Sequence, residues 1–243
     1  VDDWTPVTTG LSGARVRRSP DGRHHRKTSA DVAALAAERD RLLWLAGTPV
    51  GAPEVVDWSD TGVLVTTTLP GVPASDLPPS AVPAAMTALL AFLDVLHALP
   101  DCPFDRRLAV TVPEAEGNVA CGRVDESDFD DARLGRSAGE LLDLLRAGRD
   151  RAAAHEERDL AVCHGDFSLP NVLLDPDTAR VTGVLDVGRL GLADRHQDLA
   201  LLARSAGAPD LNPAYGASPA AHQVLARTDP WRVDYYQLLD EFF

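Results

Sequence analysis

His164-Gly165-Asp166-Phe167-Ser168-Leu169-Pro170-Asn171, with Asp186-Val187-Gly188 downstream, is the stretch on which the reading of this 243-residue chain turns. Each piece follows a short apolar run of strand composition, Leu160 to Cys163 and Val181 to Leu185. Val172 to Leu174 makes a third such run, and the turn Asp175-Pro176-Asp177 separates the last two. Asn171 stands 5 residues after Asp166, and Asp186 stands 15 after Asn171. His-Gly-Asp alone reads as a turn with an Asx hydrogen bond. The ordered Asp, Asn and Asp on loops between strands reads as a carboxylate base followed by two hard oxygen donors of the kind magnesium takes.

That order is the kinase one: catalytic Asp, metal-binding Asn, metal-binding Asp. Phosphoryl transfer needs the γ-phosphate, its metal and the attacking hydroxyl held in line, with positive charge on the equatorial oxygens. Asp166 then accepts the hydroxyl proton, and Asn171 and Asp186 hold Mg2+ on the phosphates. Lys27 supplies the positive charge. It is the sole lysine, among 23 basic residues, and a compact ammonium on the α- and β-phosphates wants a helix carboxylate behind it, here Glu38. Gly10-Leu11-Ser12-Gly13 lacks the full glycine pattern of a phosphate-covering loop, but in this context Ser12 and its backbone amides are placed over the phosphates.

Working outward, the first 30 residues read as strand, glycine loop, strand, hairpin turn at Ser19-Pro20-Asp21-Gly22, and a strand ending near Lys27. Thr28 and Asp31 have capping-box spacing ahead of a helix with Val32, Leu35, Ala36, Leu42 and Leu43 on one face, closed by Gly47. Glu54 to Trp58 and Gly62 to Thr68 are two more strands. Leu69-Pro70-Gly71 then breaks the pattern, giving a boundary between residues 1–69 and 70–243. Beyond it, Met86, Leu89, Leu90, Leu93 and Leu96 mark a core helix over Ser80 to Leu99. Ser137 with Glu140 is a second capping box, ahead of Leu141, Leu142, Leu144 and Leu145. The unusually acidic segment Asp125 to Asp131 lies just before it.

Composition sets the class. Hydrophobic residues make up 45% and charged ones 25%, ordinary for a folded globular chain of one domain or two small lobes. Cys102, Cys121 and Cys163 are scattered, without zinc or disulfide spacing. No uninterrupted apolar run reaches about 20 residues, and no basic segment leads into an apolar one at the N-terminus, so the expectation is a cytoplasmic protein without membrane attachment. A net charge of -14 repels nucleic acid and favours a polycationic partner. The start at Val1 and the short stretch from Gly207 to Asp229 point to a natural chain longer than this one.

On these motifs the sequence resembles the aminoglycoside phosphotransferase family, most of all the 3'-phosphotransferases of kanamycin and neomycin. The resemblance spans most of the chain. Its specific pieces are Val162 to Asp166, Leu169-Pro170-Asn171, Asp186 to Gly191, Ala193-Asp194-Arg195 with Asp198-Leu199-Ala200, Cys102 to Asp105, and the terminal Leu238 to Phe243. It implies an α+β, bilobal, protein-kinase-like fold, with a small β-rich nucleotide lobe and a larger helical lobe for catalysis and aminoglycoside binding. It also implies ATP or GTP as donor, a backbone hinge for adenine near Thr67 to Leu69, Arg189 near phosphates and substrate, and Asp198 buttressing the catalytic loop. The aminoglycoside would lie against Asp128, Asp130, Asp131, Asp166, Asp240, Glu241 and the Phe243 carboxylate.

Gly165 replaces the arginine of the protein-kinase His-Arg-Asp and no Ala-Pro-Glu follows Asp186, which argues against a phosphorylation-switched protein kinase. Ser205 and Ala208 stand where certain relatives carry substrate-binding acids. Kinases of streptomycin, macrolides, choline or other amino alcohols share the nucleotide machinery, and the terminal Asp240-Glu241-Phe242-Phe243 separates the 3'-enzymes from them. A nucleotide-binding pseudoenzyme acting as an interaction module would be expected to have lost Lys27, Asp166, Asn171 or Asp186, and all four are present.

Overall fold

The structure, a computed structural model, describes residues 3–7, 14–216 and 218–243. Strands β1 (Thr5–Val7), β2 (Arg15–Arg18) and β3 (His24–Thr28) come first, followed by helix α1 (Val32–Leu45), β4 (Val55–Ser59), β5 (Val63–Thr67), β6 (Val72–Pro73) and α2 (Val82–His97). Helices α3 (Leu108–Ala120) and α4 (Ala138–Glu156) precede β7 (Leu160–Cys163), β8 (Val172–Leu174), β9 (Val181–Val184) and β10 (Gly191–Asp194). The chain finishes with α5 (His196–Gly207), two short helices α6 (Pro213–Gly216) and α7 (Ala220–Leu225), and α8 (Pro230–Asp240).

Contacts group these elements into two compact units, Val1–Leu77 with Pro170–Arg189, and Pro78–Leu169 with Leu190–Phe243. The sequence reading drew its boundary at 69/70 and kept the chain contiguous; here the β8–β9 hairpin groups with the first unit, where β8 pairs antiparallel with β6.

In the first unit β1 to β5 form an antiparallel sheet in the order β1-β2-β3-β5-β4. The β2–β3 turn forms as its residues require: Gly22 takes a φ of 71° and Asp21 Oδ1 accepts from Ser19 Oγ (2.5 Å) and the Arg23 amide (3.0 Å). The cap of α1 differs from the capping-box expectation. Thr28 closes β3, and Asp31 itself is the N-cap, accepting the Ala34 amide at 2.8 Å. Leu35, Leu42 and Leu45 are the buried leucines of α1, whereas Leu43, expected on that face, is 55% exposed because it lies one residue off the stripe. The β8–β9 hairpin also meets the segment before β4: a Cβ on Gly51 would fall 2.1 Å from the Thr182 carbonyl oxygen, so this crossing admits no side chain.

The second unit is mainly helical, with β7 and β10 as a two-stranded antiparallel ribbon. Every α2 residue expected in the core is buried. Residues 79–97 are, by length and a mean hydropathy of 1.6, apolar enough to cross a membrane, although no uninterrupted apolar run marks them in the sequence. Their buried face makes α2 a core helix here. The Ser137–Glu140 capping box of α4 forms in both directions, with Leu141, Leu142 and Leu145 buried and Leu144 turned outward. A core built from α3, α4, α5 and α8 includes Leu108, Val112, Leu145, Tyr236 and Phe242. Helices α3, α5 and α8 went unread in the sequence.

Candidate active site

Lys27 sits one residue from the end of β3, opposite Leu64 of β5, and its Nζ lies 2.8 Å from Glu38 Oε2 and 2.6 Å from Asp186 Oδ1. The ammonium and the Glu38 carboxylate are largely buried, while Asp186 is 48% exposed. Burial works against the lysine charge, but the Glu38 and Asp186 carboxylates outweigh it and raise its pKa above the ordinary lysine value. The second carboxylate is placed by an unusual backbone: Asp186 has a φ of 52°, the left-handed region that only Gly, Asn and Asp enter readily. The turn that follows, Val187–Arg189, packs on α1 and puts Gly188 against the Glu38 Cβ, with Arg189 half-buried at its end. Asn171 ends the turn Leu169–Asn171, and its carbonyl accepts the Leu185 amide at 2.8 Å, tying the two loops together.

At the expected hinge, the Thr67 amide donates to the Glu54 carbonyl (2.9 Å) and the Thr68 amide to the Arg23 carbonyl (2.8 Å). Both amides are thus committed to protein partners, and Leu69 Cδ1 lies against Gly183. Ser12 lies outside the described residues.

In the second unit β7 leads into the loop that carries Asp166. Gly165 takes a φ of 83°, so the chain turns sharply before Asp166. The fully buried Asp198 carboxylate accepts the His164 amide (Oδ2, 2.9 Å) and the Gly165 amide (Oδ1, 2.9 Å), and His97 Nε2 lies 3.1 Å from its Oδ2. These bonds fix the two residues before the half-buried Asp166, whose own amide donates to His164 Nδ1 at 3.2 Å. Phe167 seals the loop against Phe92, with ring centroids 6.1 Å apart. Asp198 thus holds the loop as the resemblance implied, and His97, at the end of α2, is a partner that the sequence reading missed.

Nothing in this arrangement is left to a single local motif, and its likeness to known proteins runs the length of the chain. Residues 3–231 match the model of the phosphotransferase enzyme family. The chain belongs to that family. An aminoglycoside 3'-phosphotransferase of Streptomyces fradiae is 42% identical over 99% of this chain and 95% of its own length. A streptomycin 3''-kinase of Streptomyces griseus is 40% identical over 98% and 91%. Among solved structures, the aminoglycoside phosphotransferase APH(3'')-Id of Streptomyces rimosus superposes with a TM-score of 0.88 at 37% identity, covering 99% of this chain and 93% of that one; it has also been solved with ADP and streptomycin. The fold is accordingly the α+β, protein-kinase-like fold of that family.

Within the family frame, the acids expected to meet substrate divide into two groups. Asp128 and Asp131 are exposed on the segment between α3 and α4. Asp130, Asp240 and Glu241 are instead drawn together around two arginines unread in the sequence. Arg133 pairs with Asp130 and lies 3.8 Å from Glu241, while Arg204 of α5 pairs with Asp240 and lies 3.7 Å from Glu241. Burial, with Asp130 beside it, pushes the Glu241 carboxyl up to about 7, against the pull of Arg204. The Arg106 guanidinium stands 5.9 Å from the centre of the half-exposed Phe243 ring. Asp130 to Arg133 is an i,i+3 pair, a spacing visible in the sequence; the Arg204–Asp240 pair spans 36 residues and leaves no local sign.

Proposed function

We propose that this protein transfers the γ-phosphoryl group of ATP or GTP to a hydroxyl of an aminoglycoside, the 3'-hydroxyl of kanamycin- or neomycin-type compounds, and so confers resistance. The observation that carries the transfer chemistry is the sole lysine held between Glu38 and Asp186. An ammonium so fixed is preorganised for the donor phosphates and needs little rearrangement at the moment of reaction. The acceptor class is supported by what the relatives are called and by a net charge of -14, which suits a polycation.

Asp166 receives the proton of the acceptor hydroxyl as its oxygen bonds to the γ-phosphorus. The bond to the β,γ-bridging oxygen breaks, the nucleoside diphosphate leaves, and the proton passes on to solvent. Asn171 and Asp186 offer hard oxygen donors, and the half-exposed Asp186 retains a second carboxylate oxygen beside the one on Lys27, a donor set that fits magnesium. When bound, Mg2+ would neutralise charge developing on the phosphates. Ser12, Thr67 and Leu69 are assigned to the nucleotide, and Arg189 to phosphates and substrate. Asp128, Asp130, Asp131, Asp240, Glu241 and Phe243 are assigned to the acceptor. Residues 1–69 then serve nucleotide binding and 70–243 catalysis and acceptor binding, in the cytoplasm, where the donor is made.

A streptomycin 3''-kinase is the second reading, favoured by the nearly equal identity of the Streptomyces griseus relative. Steady-state turnover with kanamycin, neomycin and streptomycin, followed by NMR of the product to locate the phosphate, separates the two. Asp166→Ala is expected to lower kcat by about 10²–10⁴-fold. Unchanged turnover in that variant removes Asp166 from its role, and no acceptor-dependent turnover with any of the three compounds overturns the function.

A further inference from the structure

Arg133 is a charged side chain only 7% exposed, a burial that arginine tolerates only when paired. It stands in the segment between α3 and α4, which has neither helix nor strand and whose buried apolar anchor is Phe129. One nitrogen of its guanidinium pairs with Asp130 on the same segment; the other donates to the Asp234 carbonyl (2.9 Å) and to Asp234 Oδ1 (2.8 Å) on α8. A single planar fork therefore ties a loop to a helix 101 residues away. The tie continues past it: the Asp130 amide approaches Glu241 Oε1 at 3.4 Å, and Arg204 takes Asp240.

We propose that Arg133 is a positioning residue for the acceptor, setting the spacing between the loop carboxylates and the C-terminal carboxylates that receive the substrate's ammonium groups. The proposal rests on the aminoglycoside kinase reading above. Asp130, Asp234, Asp240 and Glu241 set four carboxylates against the guanidiniums of Arg133 and Arg204, so the cluster is short of positive charge even with both arginines in place. Burial raises the Glu241 carboxyl first, and the neighbouring Asp130 carboxylate adds to that rise. Without Arg133 the acids repel one another and the loop keeps only Phe129 and the partly buried Val124 on the core. The substrate must then order the loop at its own expense, which weakens binding without touching the transfer step.

The test is a comparison of the native protein with Arg133→Met and Arg133→Lys, measuring kcat and both KM values with the best aminoglycoside acceptor. Amide hydrogen exchange over residues 121–137 is followed in parallel. For Arg133→Met the acceptor KM is expected to rise roughly ten- to hundredfold, with nucleotide KM unchanged, kcat within about threefold and faster exchange confined to the segment. Arg133→Lys keeps the charge but loses the fork, and should recover only part of the affinity. Asp234→Asn, which weakens the anchor on α8 and leaves the loop acids intact, should move the acceptor KM in the same direction, and it reads the proposal if Arg133→Met does not fold. An unchanged acceptor KM overturns the role. So does a lowered one, which would mean that Arg133 merely competes with substrate for the acids. Equal damage to nucleotide KM and kcat also overturns it, as general destabilisation. If the native protein shows no acceptor-dependent turnover, the function reading falls and takes this role with it, an outcome distinct from turnover with unaltered KM.

Discussion

Glu156 ends α4 with a buried carboxyl whose Oε1 accepts the Leu108 amide at 2.9 Å, serving the first turn of α3, whose N-cap residue Arg107 makes no side-chain cap bond. Burial pushes its pKa up to about 7, although the Leu108 amide pulls the other way. The folded state thus binds this proton more tightly than the unfolded chain, where the group ionises near 4.5. Its contribution to stability is greatest at low pH and is lost as pH rises from about 4.5 through about 7. Glu156→Gln keeps an acceptor for Leu108 and cannot ionise, so its stability advantage over the native protein should grow by on the order of 2 kcal/mol between pH 5 and pH 8. Thermal melts of both proteins at the two pH values check this, and a pH-independent difference would refute it. Such residues were illegible in the sequence for a physical reason. Asp166, Asn171, Asp186 and Lys27 stand in short motifs with solitary or ordered chemistry. Glu156 acts 48 residues from its partner and Arg232 pairs with Asp194 38 residues away, so nothing local marks them.

For elements, legibility followed the strength of the end signals. The Ser137–Glu140 box sits directly before an apolar face, and α4 starts there. Ser137→Ala should lower stability by about 1 kcal/mol, read as a fall in Tm with kcat unaltered; an unchanged Tm would mean that tertiary packing alone holds the helix start. Helix α3 carries Pro113 in its interior, where a proline removes one hydrogen bond and reads as a break. It persists because Leu108, Val112 and Ala115 bury their side chains in the unit's core. Helix α5 begins at His196 with no side-chain cap, so its start carries no capping signal in the sequence. At α1 Thr28 and Asp31 have the spacing of one capping box, but Thr28 belongs to β3, so Asp31 alone is the N-cap.

Taken as a whole molecule, the protein carries 37 acids against 23 bases, and its proposed acceptor carries several positive charges. Long-range attraction of that kind is screened over about 10 Å at 0.1 M salt. The acceptor KM should therefore rise several-fold between low and high ionic strength while kcat changes little, a salt series that a site relying on apolar contact would leave flat. Composition made the charge legible, and the strand and helix order made the fold class legible. The grouping of Pro170–Arg189 with the first unit was not, because it depends on β8 pairing with β6 and on the Gly51–Thr182 crossing, contacts between segments about a hundred residues apart.

The lone lysine has a further consequence for anyone handling the protein. Acylating reagents attack the free amine base, and the one side-chain amine here is held protonated by two carboxylates at 17% exposure. Modification at that position should be slow and should quicken whenever the pair with Asp186 loosens, so the rate of labelling becomes a clock for the state of the site. A lysine-specific protease has one bond to cut, between Lys27 and Thr28, inside a strand. Resistance to that single cleavage would measure how firmly β3 is held in its sheet.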